Sequence, residues 1–275
     1  MTETGLGELL ATGRTSDIHA WGDDKVIKVF KDDVDTAMIA KEIRDSATVH
    51  QLGVTPIRYH GAVTMPDGRM GIVVDRLHGD ALTTVAERRP YKIASVARRL
   101  AREHTAIHAT ATTDFDDVRD VAQNLLHTCP LSGLTLGERD ALRRQIQALP
   151  EGNSVLHLDF HPLNTFEHGT GIATIDWQST ASGHPAADVA ATCLLFTEAE
   201  LFPGISAFQR ALYQSVRRVM LRSYLAEYTR ITGISRAEIA PWMTTARILR
   251  LGWLDVESER EPLLTRIRAS IATTS

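Results

Sequence analysis

His157-Leu158-Asp159-Phe160-His161-Pro162-Leu163-Asn164, followed by Ile175-Asp176-Trp177, is the stretch that decides how this chain is read. It places an Asp, an Asn and a second Asp at the ends of three short apolar runs, VLHL, TF and GIATI. Such runs read as brief strands joined by tight loops, so the three polar groups can converge on one spot. Two oxygen ligands beside a separate carboxylate are what Mg²⁺–phosphate chemistry requires. Mg²⁺ keeps one or two protein ligands alongside waters and phosphate oxygens, and the remaining carboxylate can accept the proton of an attacking hydroxyl. Spacing alone leaves a second reading open, because Asp and Asn are ordinary loop residues and turn chemistry explains D-x-x-x-x-N equally well.

The N-terminal part bears on that choice. Thr12 to Asp17 is a small polar turn between Leu9-Leu10 and Ile18 to Trp21, and Gly22-Asp23-Asp24 turns the chain into Lys25-Val26-Ile27-Lys28-Val29-Phe30. Three consecutive antiparallel strands are expected. Period-two alternation puts Val26, Lys28 and Phe30 on one face of the third. An exposed edge-strand lysine beside Lys25 and Lys31 is the competing reading of Lys28. Asp35 to Leu52 reads as one helix, with Ile39, Ile43 and Ala47 at four-residue steps, Glu42 beside that stripe, and Gly53 at the C-terminal left-handed position. Ile57 to Thr64, Pro66-Asp67-Gly68 and Met70 to Leu77 predict a hairpin.

HLDFHPLN followed by IDW resembles the catalytic loop and metal-binding Asp of the aminoglycoside phosphotransferase family, small-molecule kinases that include choline kinase-like proteins. The family pattern is H-x-D-x-x-x-x-N followed by I-D-[WF]. The resemblance implies an α+β, bilobal protein-kinase-like fold, with a small antiparallel β-sheet N-lobe carrying one helix and a larger, mainly helical C-lobe. It also implies a boundary giving residues 1–78 to a nucleotide-binding lobe and 79–275 to a catalytic and substrate-binding lobe. Carried over position by position, Asp159 is the catalytic base and His157 braces its loop. Asn164 and Asp176 become the Mg²⁺ ligands. Lys28 resembles the phosphate-reaching lysine, with Glu42 as its helical partner and Val26 as the residue that caps adenine. Gly13 to His19 resembles the family's short phosphate loop, with backbone amides near Thr15 and Ser16 over the phosphates, although only one glycine of the fuller pattern is present. Val73 to Gly79 resembles the hinge, with Val74 behind the adenine and the Asp75 carbonyl and Leu77 amide facing its edge. His184-Pro185-Ala186-Ala187-Asp188 resembles a signature whose Asp anchors the catalytic loop, with substrate contact as the lesser role.

Beyond Pro90 the chain is expected to be mostly helical: Pro90 to Thr112, a capping box at Thr135-x-x-Glu138, a helix from His184, then Ser206 to Gly233 and Arg236 to Asp255. His104 and His108 stand one helical turn apart, and with His127 they invite a metal reading. Hydrogen-bonded packing is preferred, since no carboxylate lies at supporting spacing.

The composition fits a soluble chain of 275 residues, 43% apolar and 23% charged, long enough for a full core. A formal net charge of −4, with no basic stripe, argues against nucleic acid as a partner. Cys129 and Cys193 are the only cysteines and read as buried free thiols in reducing cytoplasm. The opening Met1 to Gly5 lacks a positive leader region, and no apolar run approaches membrane-spanning length.

The resulting expectation is a kinase that uses Mg²⁺ and ATP, or GTP if the hinge backbone selects it, to phosphorylate a hydroxyl of a small molecule such as an aminoglycoside or other antibiotic or an amino sugar. The acidic residues Asp255, Glu257, Glu259 and Glu261 either receive a cationic acceptor or form a solvated helix end. Only Trp177 to His184 separate Asp176 from Pro185, too few for a protein-kinase activation loop. Two rival readings are a non-haem iron triad begun by His157 and Asp159, and a catalytically silent kinase-like nucleotide binder. The first conflicts with the flanking helices. The second leaves the joint presence of Lys28, Glu42, Asp159, Asn164 and Asp176 without a purpose.

Overall fold

The computed structural model describes residues 6–200 and 206–272. Residues 1–5, on which the reading of the opening segment rests, lie outside the described residues. In chain order, strands β1 (Leu9–Thr12), β2 (Ser16–Ala20) and β3 (Lys25–Phe30) are followed by helix α1 (Thr36–Gln51) and strands β4 (Tyr59–Thr64) and β5 (Met70–Asp75). Helices α2 (Leu82–Arg88), α3 (Ile93–His108), α4 (Val118–Leu125) and α5 (Leu136–Gln147) come next. Four short strands, β6 (Ser154–Leu156), β7 (Thr165–His168), β8 (Gly171–Thr174) and β9 (Ala181–Gly183), precede helices α6 (Pro185–Thr197), α7 (Ala207–Thr232), α8 (Arg236–Ile239), α9 (Met243–Leu254) and α10 (Glu257–Ala272). The class is α+β. Two compact units form, one from Met1–Leu82 with Leu163–Ser179, the other from Thr83–Pro162 with Thr180–Ser275. The segment Leu163–Ser179 therefore packs with the first unit rather than with its neighbours in sequence.

The first unit is built on an antiparallel sheet in the order β1-β2-β3-β5-β4. Alternation along β3 sends Ile27 and Val29 into a core with Met65 and Val73, against which Trp21 and Val63 pack. Val26 and Lys28, in the intervening positions, stay half-buried. Helix α1 begins where the Asp35 carboxylate accepts the Ala37 amide. It ends at Gly53, whose φ of +67° is the left-handed conformation that glycine adopts without strain. β7 and β8 form a separate hairpin, Thr165 opposite Thr174. A Cβ on Gly79 would stand 1.7 Å from the Glu167 carbonyl oxygen of β7, so this crossing admits only glycine.

In the second unit α3 packs along α7, and the two-stranded β6–β9 ladder is bridged to the end of α3 at Ala111–Ser154. Leu142, Ile146 and Leu149 of the α5 region are buried along one side, as their spacing requires. The Thr135–Glu138, Ser206–Gln209 and Ser235–Glu238 capping boxes all form. The single helix expected from Arg236 to Asp255 is instead interrupted. Pro241 has no amide to donate, and the chain passes through a 3₁₀ turn at Ala240–Trp242 between α8 and α9. A second correction concerns Cys129, which is exposed; only Cys193 is buried.

Candidate active site

Lys28 sits in the middle of β3, opposite Ile18 of β2 and Ile72 of β5. Its ammonium lies 2.5 Å from Glu42 Oε1 and 2.8 Å from Asp176 Oδ1. Glu42 projects from the middle of α1 and is 5% exposed, so its charge depends on that partner. Burial opposes the charged ammonium, but the neighbouring carboxylates of Asp176 and Glu42 outweigh it and lift the Lys28 pKa above the ordinary lysine value. Desolvation raises the Glu42 pKa, with Lys28 pulling the other way. The triad carries two acids against one ammonium, an imbalance that suits a divalent cation.

Asn164 and Asp176 are brought together by the β7–β8 hairpin. The Ile175 amide donates to the Asn164 carbonyl at 2.9 Å, extending the ladder one step beyond Thr165–Thr174. Asn164 is 9% exposed, and Asp176 has a left-handed φ of +66°. Lys41 donates to the Gln178 carbonyl in the 3₁₀ turn Trp177–Ser179 and pairs with the buried Asp45, tying α1 to the segment just past Asp176. The donor set fits Mg²⁺: one amide oxygen and one carboxylate oxygen, both hard.

The Asp159 loop lies in the second unit. The His157 side chain is fully buried, and its Nδ1 accepts the Asp159 amide at 3.2 Å. The next residue, Leu158, has φ +61°, a strained conformation for a branched side chain. Two hydrogen bonds over-determine it: the His157 and Leu158 amides donate to Asp188 Oδ2 and Oδ1 at 2.5 and 2.9 Å. One turn further along α6, the Thr192 hydroxyl donates to the Phe160 carbonyl at 3.1 Å. Asp159 is half-buried, with His161 Nε2 at 3.6 Å from its Oδ2. Asp188 itself has no exposed surface, and its neighbours hold its carboxyl well below the usual range despite that burial.

The remaining expected residues are placed as follows. Val26, two positions before Lys28 on β3, and Val74 of β5 are cross-strand partners, both half-buried. Gly13 closes the β1–β2 turn by donating its amide to the Ser16 carbonyl, and its own carbonyl accepts from Lys31 Nζ. Ser16 is buried at the start of β2. Asp75 ends β5; its side chain accepts the Arg58 amide and meets His60 Nε2 at 2.6 Å. Leu77 follows, half-buried. Of the acidic group, Glu259 is buried in a two-pronged pair with Arg250 and accepts the Glu200 amide, and Asp255 pairs with Arg260. Glu257 is exposed in the first turn of α10, where the helix dipole favours acids.

A family model described as the phosphotransferase enzyme family matches residues 11–231. The chain belongs to the phosphotransferase enzyme family. As a member it is a small-molecule phosphotransferase. Among solved structures, a thermostable mutant of aminoglycoside phosphotransferase APH(4)-Ia matches with TM-score 0.67 at 14% identity, covering 98% of this chain and 96% of that one. The GDP complex of aminoglycoside 2'-phosphotransferase-IIIa matches with TM-score 0.56 at 14% identity, over 99% and 95% of the two chains. A choline/ethanolamine kinase family protein from Mesorhizobium loti matches with TM-score 0.53 at 16% identity, over 97% and 88%. These likenesses show a shared, protein-kinase-like fold. No match was found among the curated proteins.

Sequence reasoning about this phosphotransferase missed the histidine partners of Asp188. The carboxylate absent from the neighbourhood of His104 and His108 in sequence is Asp188, 3.0 and 3.2 Å from their Nε2 atoms. The tyrosines at 224 and 228, which share the four-residue step of His104 and His108, were the signal available. His127 is elsewhere, exposed and near Arg143.

Proposed function

We propose that this phosphotransferase moves the γ-phosphoryl group of ATP to a hydroxyl of a small molecule, with Mg²⁺ as the cofactor. The observation that carries the reading is the Lys28 ammonium held between Glu42 and Asp176, with Asn164 hydrogen-bonded to the residue preceding Asp176. In this reading Glu42 orients Lys28 toward the phosphates. Asn164 and Asp176 would hold Mg²⁺, which when bound neutralises charge on the phosphate oxygens. Val26 and Val74 flank the base, and the Asp75 carbonyl and Leu77 amide meet its edge. The turn from Gly13 to Ser16 covers the phosphates. Asp159, braced by His157, aligns the acceptor hydroxyl and takes its proton as the phosphoryl group leaves in line.

Another solved structure of this fold supports a small-molecule acceptor. APH(4)-Ia has been crystallised with AMP-PNP and hygromycin B, TM-score 0.53 at 17% identity. We infer an acceptor of that class, an aminoglycoside or other antibiotic or an amino sugar, with ATP or GTP as donor. We assign Asp188, Asp255 and Glu259 to structure, because arginines or backbone amides already engage their carboxylates. That leaves Glu257 and Glu261, both exposed in α10, as the acidic residues open to a cationic acceptor. No helix among the described residues is long and apolar enough to cross a membrane, and two unpaired thiols suit the reducing cytoplasm.

The test is transfer of label from γ-labelled ATP, with Mg²⁺, to a panel of aminoglycosides, amino sugars and choline, read as phosphorylated product by mass. Mg²⁺-dependent labelling of a panel member is the expected result. Failure of ATP to bind with or without Mg²⁺ would overturn the reading.

A further inference from the structure

The last residue of β5 is held in a way that a regular ladder does not require. The Asp75 amide donates to the Arg58 carbonyl at 3.2 Å, one step beyond the Tyr59–Val74 pair of β4 and β5. In a hydrogen-bonded antiparallel pair the second amide returns the bond, here from Arg58 to the Asp75 carbonyl. The Arg58 amide instead donates to the side chain, to Asp75 Oδ2 at 3.0 Å. The other carboxylate oxygen, Oδ1, is 2.6 Å from His60 Nε2. His60 is the extra residue of a β-bulge, since Tyr59 stands opposite Val74 and Gly61 opposite Val73. Gly61 takes φ +123° there, a backbone that a side chain would strain even though the space beside it is open. All of these residues belong to the first unit.

An ionised carboxylate only accepts, so the imidazole nitrogen facing Asp75 carries the hydrogen. Desolvation works against the carboxylate, but the hydrogen bonds from His60 and Arg58 outweigh it and hold its pKa below the ordinary value. The side chain thus stands in for its own main chain, and the Asp75 carbonyl is relieved of its ladder amide. On the opposite edge the Arg76 amide donates to the Asp24 carbonyl at 3.0 Å, so the backbone groups of Leu77, next in the alternation, return to the Asp75 side. A carbonyl with an amide two residues on is complementary to one kind of purine edge. Adenine offers an amino donor with an acceptor nitrogen beside it. A 6-oxo purine such as guanine offers an oxygen with an N–H beside it, which sets acceptor against acceptor and donor against donor.

We propose that the Asp75 side chain, fixed by the Arg58 amide and the bulged His60, is a positioning residue that keeps its own carbonyl free and thereby selects an adenine base over a 6-oxo purine. This selection rests on the reading above, in which the Asp75 carbonyl and Leu77 amide meet the base of the nucleotide.

The experiment is equilibrium binding of ATP and of inosine triphosphate, each with Mg²⁺, to the full chain by calorimetry, for wild type, Asp75→Ala, Asp75→Asn and His60→Leu. Inosine triphosphate differs from ATP only in the 6-oxo group and the hydrogen on the neighbouring ring nitrogen. Wild type is expected to bind ATP tighter by roughly tenfold or more, the contribution of about one hydrogen bond. In Asp75→Ala the Arg58 amide takes the carbonyl, so ATP binding weakens by roughly tenfold while inosine triphosphate binding stays as it was. The asparagine oxygen still accepts the Arg58 amide, so Asp75→Asn keeps most of the ATP preference. His60→Leu, at an exposed position, guards against an alanine variant that fails to fold and gives a smaller loss of the preference. A merely structural role would weaken both nucleotides alike. Equal wild-type affinity for the two nucleotides, parallel weakening of both in Asp75→Ala, the same preference in Asp75→Asn as in Asp75→Ala, or an undiminished preference in both Asp75→Ala and His60→Leu would overturn the proposal. If wild type binds neither triphosphate, the functional reading fails and the selection with it; binding of both without preference ends the selection alone.

Discussion

Lys28 Nζ stands 2.8 Å from Asp176 Oδ1, an ion pair between residues 148 positions apart in the chain. The same ammonium pairs with Glu42, so a single strand lysine compensates two acids from different elements. Removing it strands charge that has little access to water.

Lys28→Met should therefore destabilise the protein by about 3–5 kcal/mol, the range for breaking a buried pair by deleting one partner. Adding Glu42→Gln should recover part of that loss, because the uncompensated carboxylate disappears. Urea unfolding of the two single variants and the double variant measures the coupling. Strict additivity would show that the contact contributes nothing.

The buried histidine sets a pH dependence. His104 has a folded-state pKa of about 4 against an ordinary 6.5. Between those values the unfolded chain binds a proton that the folded chain does not, so stability rises with pH across that window and falls as acid is added. The span corresponds to about 3 kcal/mol at most. Asp188, held below the ordinary carboxylate value, adds a further loss below about pH 4, where unfolding would let it take up a proton. Unfolding free energies measured between pH 4 and 7 should show a steeper slope in wild type than in His104→Gln. Equal slopes would remove His104 from the account.

The two cysteines should separate cleanly. Cys129 is exposed, whereas burial pushes the Cys193 thiol up to about 12 and leaves almost no thiolate at neutral pH. A thiol reagent should modify one equivalent quickly in the native protein and the second only on unfolding. Two fast equivalents would contradict the placement of Cys193 in α6.

What could be read from the chain was whatever depends on local chemistry. Alternation put Lys28 on the face opposite Ile27 and Val29, Asp35 and Gly53 bounded α1, and the Thr135-x-x-Glu138 box opened a helix where expected. The short apolar runs around Asp159, Asn164 and Asp176 became β6, β7 and β8. What could not be read depends on partners distant in sequence. Nothing near Asp188 announces His104 or His108, and nothing local tells a carboxylate that accepts loop amides from one that meets a ligand. The acids near Asp255 looked free because Arg250 sits in the preceding helix and Glu200 lies 59 residues away from Glu259. Helix α10 was hidden by Pro262, a residue that ordinarily marks a helix boundary but here lies inside the helix.

The account stands most directly on the rate of phosphoryl transfer in Asp159→Asn, measured with saturating Mg²⁺ and ATP and the panel acceptor that wild type labels fastest. Asp159 is half-buried in a loop whose backbone is held by Asp188, so the substitution should leave folding intact. The account predicts a fall in kcat of roughly 10²–10⁴-fold with KM for ATP little changed. Transfer at the wild-type rate in the folded variant would contradict it.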